Sequence, residues 1–337
     1  MSLLELTPAG LYCAAGDFFI DPWQPVSRAI VTHAHGDHLR PGSAAYLVAT
    51  PGEALARARL APDAAVRSVP YGEAHTLNGV RVSLHPAGHI LGSAQVRVEH
   101  RGEVWVVSGD YKLEPDPTCA PFEPLRCHGF VTECTFGLPI YRWAPEQEVF
   151  ADLNTWWRAN QERGRATLVL GYALGKAQRL LAGLDPAIGP ICTHGAMDRL
   201  TELYRAAGIA LAPTHPVSSF PARHDWSSSL ILAPPGAEAT PWARRFGDAA
   251  LGFASGWMQV RGNRRRQALD RGFVLSDHVD WPSLLTAIEA TGATTIWATH
   301  GFTGPLVRYL QARGLDARAL ATRFEGELET PDEPVEG

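Results

Sequence analysis

The sequence has few cysteines and no long apolar run, and both absences narrow its class. The five cysteines form no C-x-x-C pair, which argues against a disulfide framework and against a thiolate zinc knuckle. No run of about 18 apolar residues could span a bilayer, and the opening MSLLELTPAGLYC lacks the basic and apolar segments of a secretion signal. We therefore expect a cytoplasmic protein with reduced cysteines and no membrane partner.

Length and composition indicate a large folded protein. The chain has 337 residues, which is more than one compact core usually holds. Hydrophobic residues make up 45% and charged residues 19%, close to the values of ordinary soluble domains. These values favour two domains, or one large domain with an insertion, and they exclude global disorder.

Charge is unevenly distributed along the chain, whose net charge is −5. Positions 141–270 carry 15 Lys and Arg against 11 Asp and Glu, a net charge of +4, whereas the remainder carries 15 against 24, or −9. A basic middle segment could bind a polyanion that the overall charge would repel. The acidic stretch 325–336 is typical of a frayed terminus.

Hydrophobic periodicity predicts an α/β protein, with short strands first and alternating helices and strands after Pro145. Turn signals such as Asn78-Gly79 separate the early runs. The predicted strands are 29–32, 80–84, 94–99, 104–107, 166–170, 229–233, 250–254, 272–275 and 294–298. The predicted helices are 53–60, 146–161, 176–184, 281–291 and 305–313.

The strongest chemical signal is the segment THAHGDH at 32–38, which places four metal-ligating side chains within six residues: His33, His35, Asp37 and His38. Side chains two positions apart in an extended segment point to the same side, so the first two histidines can share one ion. Imidazole and carboxylate without thiolate favour zinc, with manganese or iron as substitutes. The alternative interpretation is a polar turn with coincidental histidines.

Two further positions could complete the ligand set. His89 lies in a glycine-flanked turn between two predicted strands, and Asp110 ends an apolar strand. Alone, His89 is equally typical of a structural turn, and a strand-end aspartate is more often a helix cap. Together with the histidine cluster, both become candidate ligands of one centre.

In chain order, H-x-H-x-D-H, a lone histidine and a strand-end aspartate resemble the metallo-β-lactamase superfamily over residues 21–110. The family's early aspartate, which orients the histidine loop, corresponds to Asp21, with Asp17 as the competitor. The segments TECTFG (132–137), LSDHVD (275–280) and ATHG (298–301) resemble the extra motifs of the β-CASP nuclease branch. GYALGKAQ (171–178) resembles a strand-to-helix turn of its inserted domain.

This resemblance implies an α/β fold, namely a metallo-β-lactamase αββα sandwich with an inserted α/β β-CASP domain. We expect the first part of the core at 1–140, the inserted domain at 141–270, the second part of the core at 271–325 and a flexible acidic tail at 326–337.

The resemblance also implies two divalent metal ions, with Zn²⁺ favoured over Mn²⁺. The family pattern assigns the ligands of the first ion to His33, His35, His89 and Asp110, and those of the second to Asp37, His38, Asp110 and His300. Asp110 would then bridge the two ions.

Catalytic roles are implied for His278, Glu133 and Asp37. In the family, Glu133 orients His278, which faces the scissile phosphate and can act as general acid. Substrate contacts are predicted for Lys176, Ser276, Arg264, Arg265 and Arg266. For the arginine run, an ordinary solvated helix face is the alternative.

Within the branch, the chain looks most like the bacterial ligase-associated DNA exonucleases of the damage response. That resemblance implies a two-metal DNA exonuclease, with DNA favoured over RNA and with a DNA ligase and a helicase as partners in repair. An RNase J-like or polyadenylation-type RNA nuclease is the nearest alternative. A lactonase or thioesterase on the same metal core is another, although those enzymes need neither the basic insertion nor the Glu133–His278 pair.

Overall fold

The computed structural model describes residues 2–260, 262 and 268–321. These residues form two compact units, one from 2–142 and 278–321 and the other from 143–260, 262 and 268–277. Both units combine helices with strands, which confirms the α/β class. None of the described helices is long and apolar enough to cross a bilayer. The predicted substrate-binding residues Arg264, Arg265 and Arg266, and the predicted tail 326–337, lie outside the described residues.

The first unit contains two sheets. The first sheet has six strands, which lie side by side in chain order: β1 (Glu5–Thr7), β2 (Gly10–Cys13), β3 (Phe18–Ile20), β4 (Ala29–Ile30), β5 (Tyr46–Ala49) and β6 (Val66–Val69). The second sheet has seven strands: β7 (Ala74–Leu77), β8 (Val80–Pro86), β9 (Ala94–His100), β10 (Glu103–Val107), β11 (Gly129–Glu133), β18 (Thr295–Thr299) and β19 (Asp316–Ala319). Its spatial order is β19-β18-β11-β10-β9-β8-β7.

Alternation along the strands of the second sheet builds two separate cores. In β10, Trp105 and Val107 point into a core shared with the first sheet, whereas Val104 and Val106 point to the opposite side. On that side the sheet packs against two helices, α5 (Trp281–Thr291) and α6 (Thr303–Gln311). A further helix, α1 (Glu53–Arg59), contacts β5 and β6 of the first sheet.

The second unit is built on one parallel sheet in the order β14-β13-β15-β12-β16-β17. Its strands are β12 (Thr167–Leu170), β13 (Ile191–Thr193), β14 (His215–Pro216), β15 (Leu230–Ala233), β16 (Ala250–Ala254) and β17 (Arg271–Phe273). One face packs against three helices, α2 (Glu146–Glu162), α3 (Lys176–Gly183) and α4 (Gly195–Ala206). The other face is covered by side chains that include Trp226, Phe246 and Met258. Burial of both faces explains why the central strands are continuously apolar.

The helices agree closely with the sequence prediction, and α5 matches it at both ends. The sequence did not predict α4 or most of the strands of the first sheet. The predicted strand at 272–275 forms as β17 at Arg271–Phe273 and pairs with β16, in the sheet of the second unit.

Candidate metal centre

The candidate site of the first unit lies where parallel strands end. β3 and β4 are parallel neighbours, and so are β10, β11 and β18 in the other sheet. Because the carboxyl ends of parallel strands meet at one edge of a sheet, residues that follow these strands are brought close together. Asp21 and the histidine loop follow β3 and β4, whereas Asp110, Glu133 and His300 follow or end the strands of the second sheet.

Asp21 holds the histidine loop through contacts with Thr32 and His38. Its carboxylate accepts hydrogen bonds from the backbone N–H and the hydroxyl of Thr32, at 2.8 and 2.6 Å, and lies 2.7 Å from Nδ1 of His38. Asp17, the competing residue, is half-buried and accepts a hydrogen bond from the Tyr12 hydroxyl. The structure therefore places Asp21 beside the loop, where it directs the other ring nitrogen of His38 toward the site.

The first ligand group contains His33, His35, His89 and Asp110, whose ligand atoms all lie within 4.8 Å of one another. Nδ1 of His35 is 3.0 Å from Nε2 of His33 and 3.1 Å from Nε2 of His89. Nε2 of His33 is 3.5 Å from Oδ2 of Asp110. Zinc bonds of about 2.0–2.2 Å in a tetrahedron separate ligand atoms by roughly 3.3–3.6 Å, so this spacing suits one ion.

The second ligand group contains Asp37, His38 and His300, again within 4.8 Å. Nε2 of His38 lies 3.7 Å from Oδ2 of Asp37 and 3.4 Å from Oδ2 of Asp110. The rings of His38 and His300 are stacked, with centroids 5.3 Å apart. Asp110 thus touches both groups, and its Oδ1 atom is buried without a hydrogen-bond partner among the described residues. A buried carboxylate oxygen of this kind fits a cation as its missing partner.

His300 is held in an uncommon backbone conformation. Its φ of 57° lies in the left-handed region, and Gly301 follows with a φ of 64°. A side chain at Gly301 would collide with the backbone of Thr135, so only glycine fits there. The thiol of Cys134 donates to the carbonyl of His300 at 2.8 Å. These contacts fix the backbone of His300, and the Thr299 hydroxyl lies 3.2 Å from Nδ1 of its ring.

Burial and nearby charges shift the pKa values of three site histidines in different directions. Burial lowers the pKa of His300, and it lowers that of His33 to well below the ordinary value. Burial also opposes protonation of His38, but Asp110, Asp37 and Asp21 raise its pKa well above the usual range. The lowered pKa values of His33 and His300 favour neutral imidazole, which is the form that binds a metal ion.

Asp110 responds to the same charges in the opposite direction. Burial alone would raise its pKa, but His38 and His278 hold it well below the ordinary value of an aspartate. The carboxylate is therefore ionised although it is buried, and it can serve as an anionic ligand.

A third group contains Asp110, Glu133 and His278. Glu133 accepts hydrogen bonds from the backbone N–H of Tyr111 and of Thr135, and both of its oxygens contact Nδ1 of His278, at 2.9 and 3.0 Å. The His278 ring lies 4.8 Å from the ring of His89. Although the spacing could admit a cation, two oxygens facing one ring nitrogen are typical of a hydrogen-bonded pair.

Two predicted substrate contacts lie in the second unit and outside these groups. Lys176 is 1% exposed, and its ammonium group bonds to the carbonyl of Leu275 at 2.8 Å and to the carboxylate of Asp277 at 2.9 Å. Ser276 is also buried, and its carbonyl accepts a hydrogen bond from Arg179. This burial differs from the substrate-facing position that the sequence indicated for both residues.

Sequence reasoning missed the residues that hold the ligands in place. Thr32, Tyr111 and Cys134 each form a hydrogen bond to a candidate site residue or to Asp21. Thr32 and Cys134 lie inside sequence motifs and Tyr111 follows Asp110, but these positions give no hint of the contacts.

Two kinds of known protein are similar to this chain in sequence. No protein-family model matches it. A probable DNA ligase of Opitutus terrae is 31% identical over 322 residues, covering 95% of this chain and 31% of that protein. Endoribonuclease ysh1 of Aspergillus fumigatus is 32% identical over 123 residues, covering 36% of this chain and 14% of that protein. Endoribonuclease YSH1 of Saccharomyces cerevisiae is 30% identical over 122 residues, covering 36% of this chain and 15% of that protein.

The chain is therefore homologous to a ligase-named protein over nearly its whole length and to the ysh1 endoribonucleases over part of it. It spans less than a third of the length of each relative. A solved structure of a protein of unknown function from Enterococcus faecalis V583 has a TM-score of 0.59 at 12% identity, covering 88% of this chain and 80% of that one. This likeness concerns the fold alone.

Proposed function

We propose that this chain is a metal-dependent nuclease that hydrolyses phosphodiester bonds in DNA. One observation carries the proposal: two groups of metal-ligating side chains share Asp110, and the Glu133–His278 pair lies beside them. Paired metal sites of this kind are suited to displacement at phosphorus.

The residues present suit two divalent ions. His33, His35, His89 and Asp110 would hold one ion; Asp37, His38, His300 and Asp110 would hold the other. Bound there, the ions would activate a water molecule and neutralise the oxygens of the scissile phosphate. Nitrogen and oxygen donors without thiolate favour Zn²⁺, with Mn²⁺ as the alternative.

His278 is proposed as the general acid. Because Glu133 occupies its Nδ1 atom, the proton to be transferred belongs to Nε2. The buried carboxylate of Glu133 orients the ring and stabilises its protonated form, so that His278 can donate a proton to the leaving oxygen. Asp37 has 24% of its side chain accessible, and we assign it a second role as proton acceptor.

We further infer membership of the metallo-β-lactamase superfamily and its β-CASP branch. The two packed sheets with helices in the first unit support this inference, as does the parallel-sheet unit that interrupts the first unit along the chain. Homology to the ysh1 endoribonucleases supports it independently. The bounds 1–140, 141–270 and 271–325 and the cytoplasmic location stay predictions.

DNA is favoured because the ligase-named relative matches 95% of this chain, against 36% for the endoribonucleases. We propose an exonuclease of DNA repair that works with a DNA ligase and a helicase. A second candidate, an endonuclease acting on RNA, is favoured by the similarity to proteins named endoribonuclease.

The test is incubation of the purified protein with end-labelled single- and double-stranded DNA and RNA, with Zn²⁺ or Mn²⁺ and with His278→Ala as the control. We expect stepwise shortening of DNA by the wild type, abolished by a chelator and slowed roughly 10²- to 10⁴-fold by the control substitution. Preferential internal cleavage of RNA would select the second candidate. Efficient hydrolysis of a lactone or thioester, with DNA and RNA left intact, would overturn both.

A further inference from the structure

A buried ion pair of the first unit lies close in sequence to the candidate ligand Asp110. The ammonium group of Lys112 is 2.7 Å from Oδ2 of Asp116, and the two side chains are 0% and 2% exposed. The other carboxylate oxygen accepts hydrogen bonds from the backbone N–H and the hydroxyl of Thr118, at 2.8 and 2.6 Å. Lys112 therefore cannot reach a substrate, although it lies only two residues after Asp110.

The backbone of Lys112 joins the two loops that carry Asp110 and His89. Its N–H donates to the carbonyl of Ala87 at 3.1 Å. Its carbonyl lies so close to Gly88 that any side chain there would collide with it, and Gly88 has a φ of 77°. His89 thus follows Gly88 by one residue, and Asp110 precedes Lys112 by two.

The ion pair with Asp116 also restricts the position of Lys112, through its side chain. Removing two charges from water is costly, and a buried pair compensates for that cost only when its geometry is closely defined. The Lys112 side chain therefore has one favourable position, against a carboxylate that Thr118 holds in turn. Backbone contacts and side-chain contacts together determine where Lys112 lies.

We propose that Lys112 and Asp116 are positioning residues that set the separation between Asp110 and His89. This inference rests on the proposed function, because it assigns the pair a role in metal binding. Partners that orient metal ligands typically change metal affinity about 10- to 100-fold when they are removed. If the pair were purely structural, its removal would lower stability and leave the metal affinity unchanged.

The test compares Lys112→Met, Asp116→Asn and the double variant with Lys112→Met and Asp116→Leu. The double variant leaves no uncompensated buried charge, so its stability should recover relative to the single variants. Val98→Ala is the matched control, because it removes volume from the core of the same unit at a strand position paired with Trp105 and Val82. For each protein, Zn²⁺ affinity is measured by competition with a chelator, and unfolding is followed without and with Zn²⁺.

We expect all three Lys112 and Asp116 variants to bind Zn²⁺ about 10- to 100-fold more weakly. The added stability that Zn²⁺ gives should shrink accordingly, whereas Val98→Ala should keep the wild-type affinity. If the double variant regains wild-type affinity together with its stability, the pair is structural and the inference is wrong. A wild type that binds no Zn²⁺ or Mn²⁺ would overturn the proposed function as well.

Discussion

Glu133 contacts a single nitrogen of His278 with both carboxylate oxygens, at 2.9 and 3.0 Å, although 145 positions separate the two residues. Both residues are buried. Glu133 ends β11, next to β10, whose following loop carries Asp110, and Tyr111 of that loop donates its N–H to the same carboxylate. The pair is therefore held at the edge of the sheet where the ligand groups meet.

His278→Ala is expected to bind metal normally and to lose turnover by roughly 10²- to 10⁴-fold, the usual effect of removing a positioned acid or base. Glu133→Gln should cause a smaller loss, because the ring remains but its protonated form is less stabilised. Nuclease rates and metal content are measured on the same samples. A loss of metal in step with activity in His278→Ala would make this histidine a ligand.

Asp21→Ala should weaken metal binding about 10- to 100-fold, because the carboxylate orients His38 and fixes Thr32 at the start of the loop. Asp17→Ala is the matched control, because Asp17 is only half-buried and contacts Tyr12 instead. Chelator competition gives the affinity of each variant. Equal affinities in the two variants would show that Asp21 does not orient the loop.

Asp277→Asn should destabilise the protein by about 3–5 kcal/mol, because it leaves the buried cations Lys176 and Arg179 without their shared carboxylate. Asp185→Asn is the control: Asp185 pairs with Arg158 at 2.8 Å, but their side chains are 39% and 52% exposed. Removing such a surface pair changes stability by less than about 1 kcal/mol. Urea unfolding measures both. Similar losses in the two variants would mean that the buried network contributes little.

Replacing Arg264, Arg265 and Arg266 with alanine should weaken DNA binding equally for all sequences, because phosphate contacts carry no base information. The slope of the logarithm of affinity against the logarithm of salt concentration should flatten by roughly 2–3. Arg57→Ala, a change at an exposed arginine paired with Glu53, serves as the control. Binding is measured on two unrelated DNA sequences at several salt concentrations. An unchanged slope would show that the three arginines do not contact the DNA phosphates.

The sequence could indicate the candidate metal-binding residues because most of them are local. His33, His35, Asp37 and His38 lie within six residues, and the motif alone indicates a metal site. Several helices were also predictable, because apolar residues at helical spacing identify helices such as α2 and α5. Strands such as β1 and β14 have three and two residues, which is too short for any period to appear. Helix α4 was not predicted, although its buried positions Met197, Thr201 and Tyr204 follow helical spacing.

Apart from those that the family resemblance implies, such as Glu133 with His278, contacts between distant parts of the chain could not be predicted. Lys176 follows a glycine-containing turn that suggests a phosphate site, but its ammonium group bonds to Leu275, 99 positions away. Asp17 and Asp21 are equally acidic in the sequence, and only the contacts with Thr32 and His38 distinguish them. Burial and partner choice depend on the folded arrangement, which no local pattern contains.

The claim that Asp110 serves two metal ions is tested most directly by elemental analysis of the wild type, Asp110→Ala and His300→Ala. We expect two ions per chain in the wild type, because two ligand groups meet at this carboxylate. His300→Ala should retain about one ion, since it removes a ligand of one group only, whereas Asp110→Ala should weaken binding at both positions. Two ions still bound to Asp110→Ala after dialysis against a chelator would contradict the shared ligand and the two-metal site built on it.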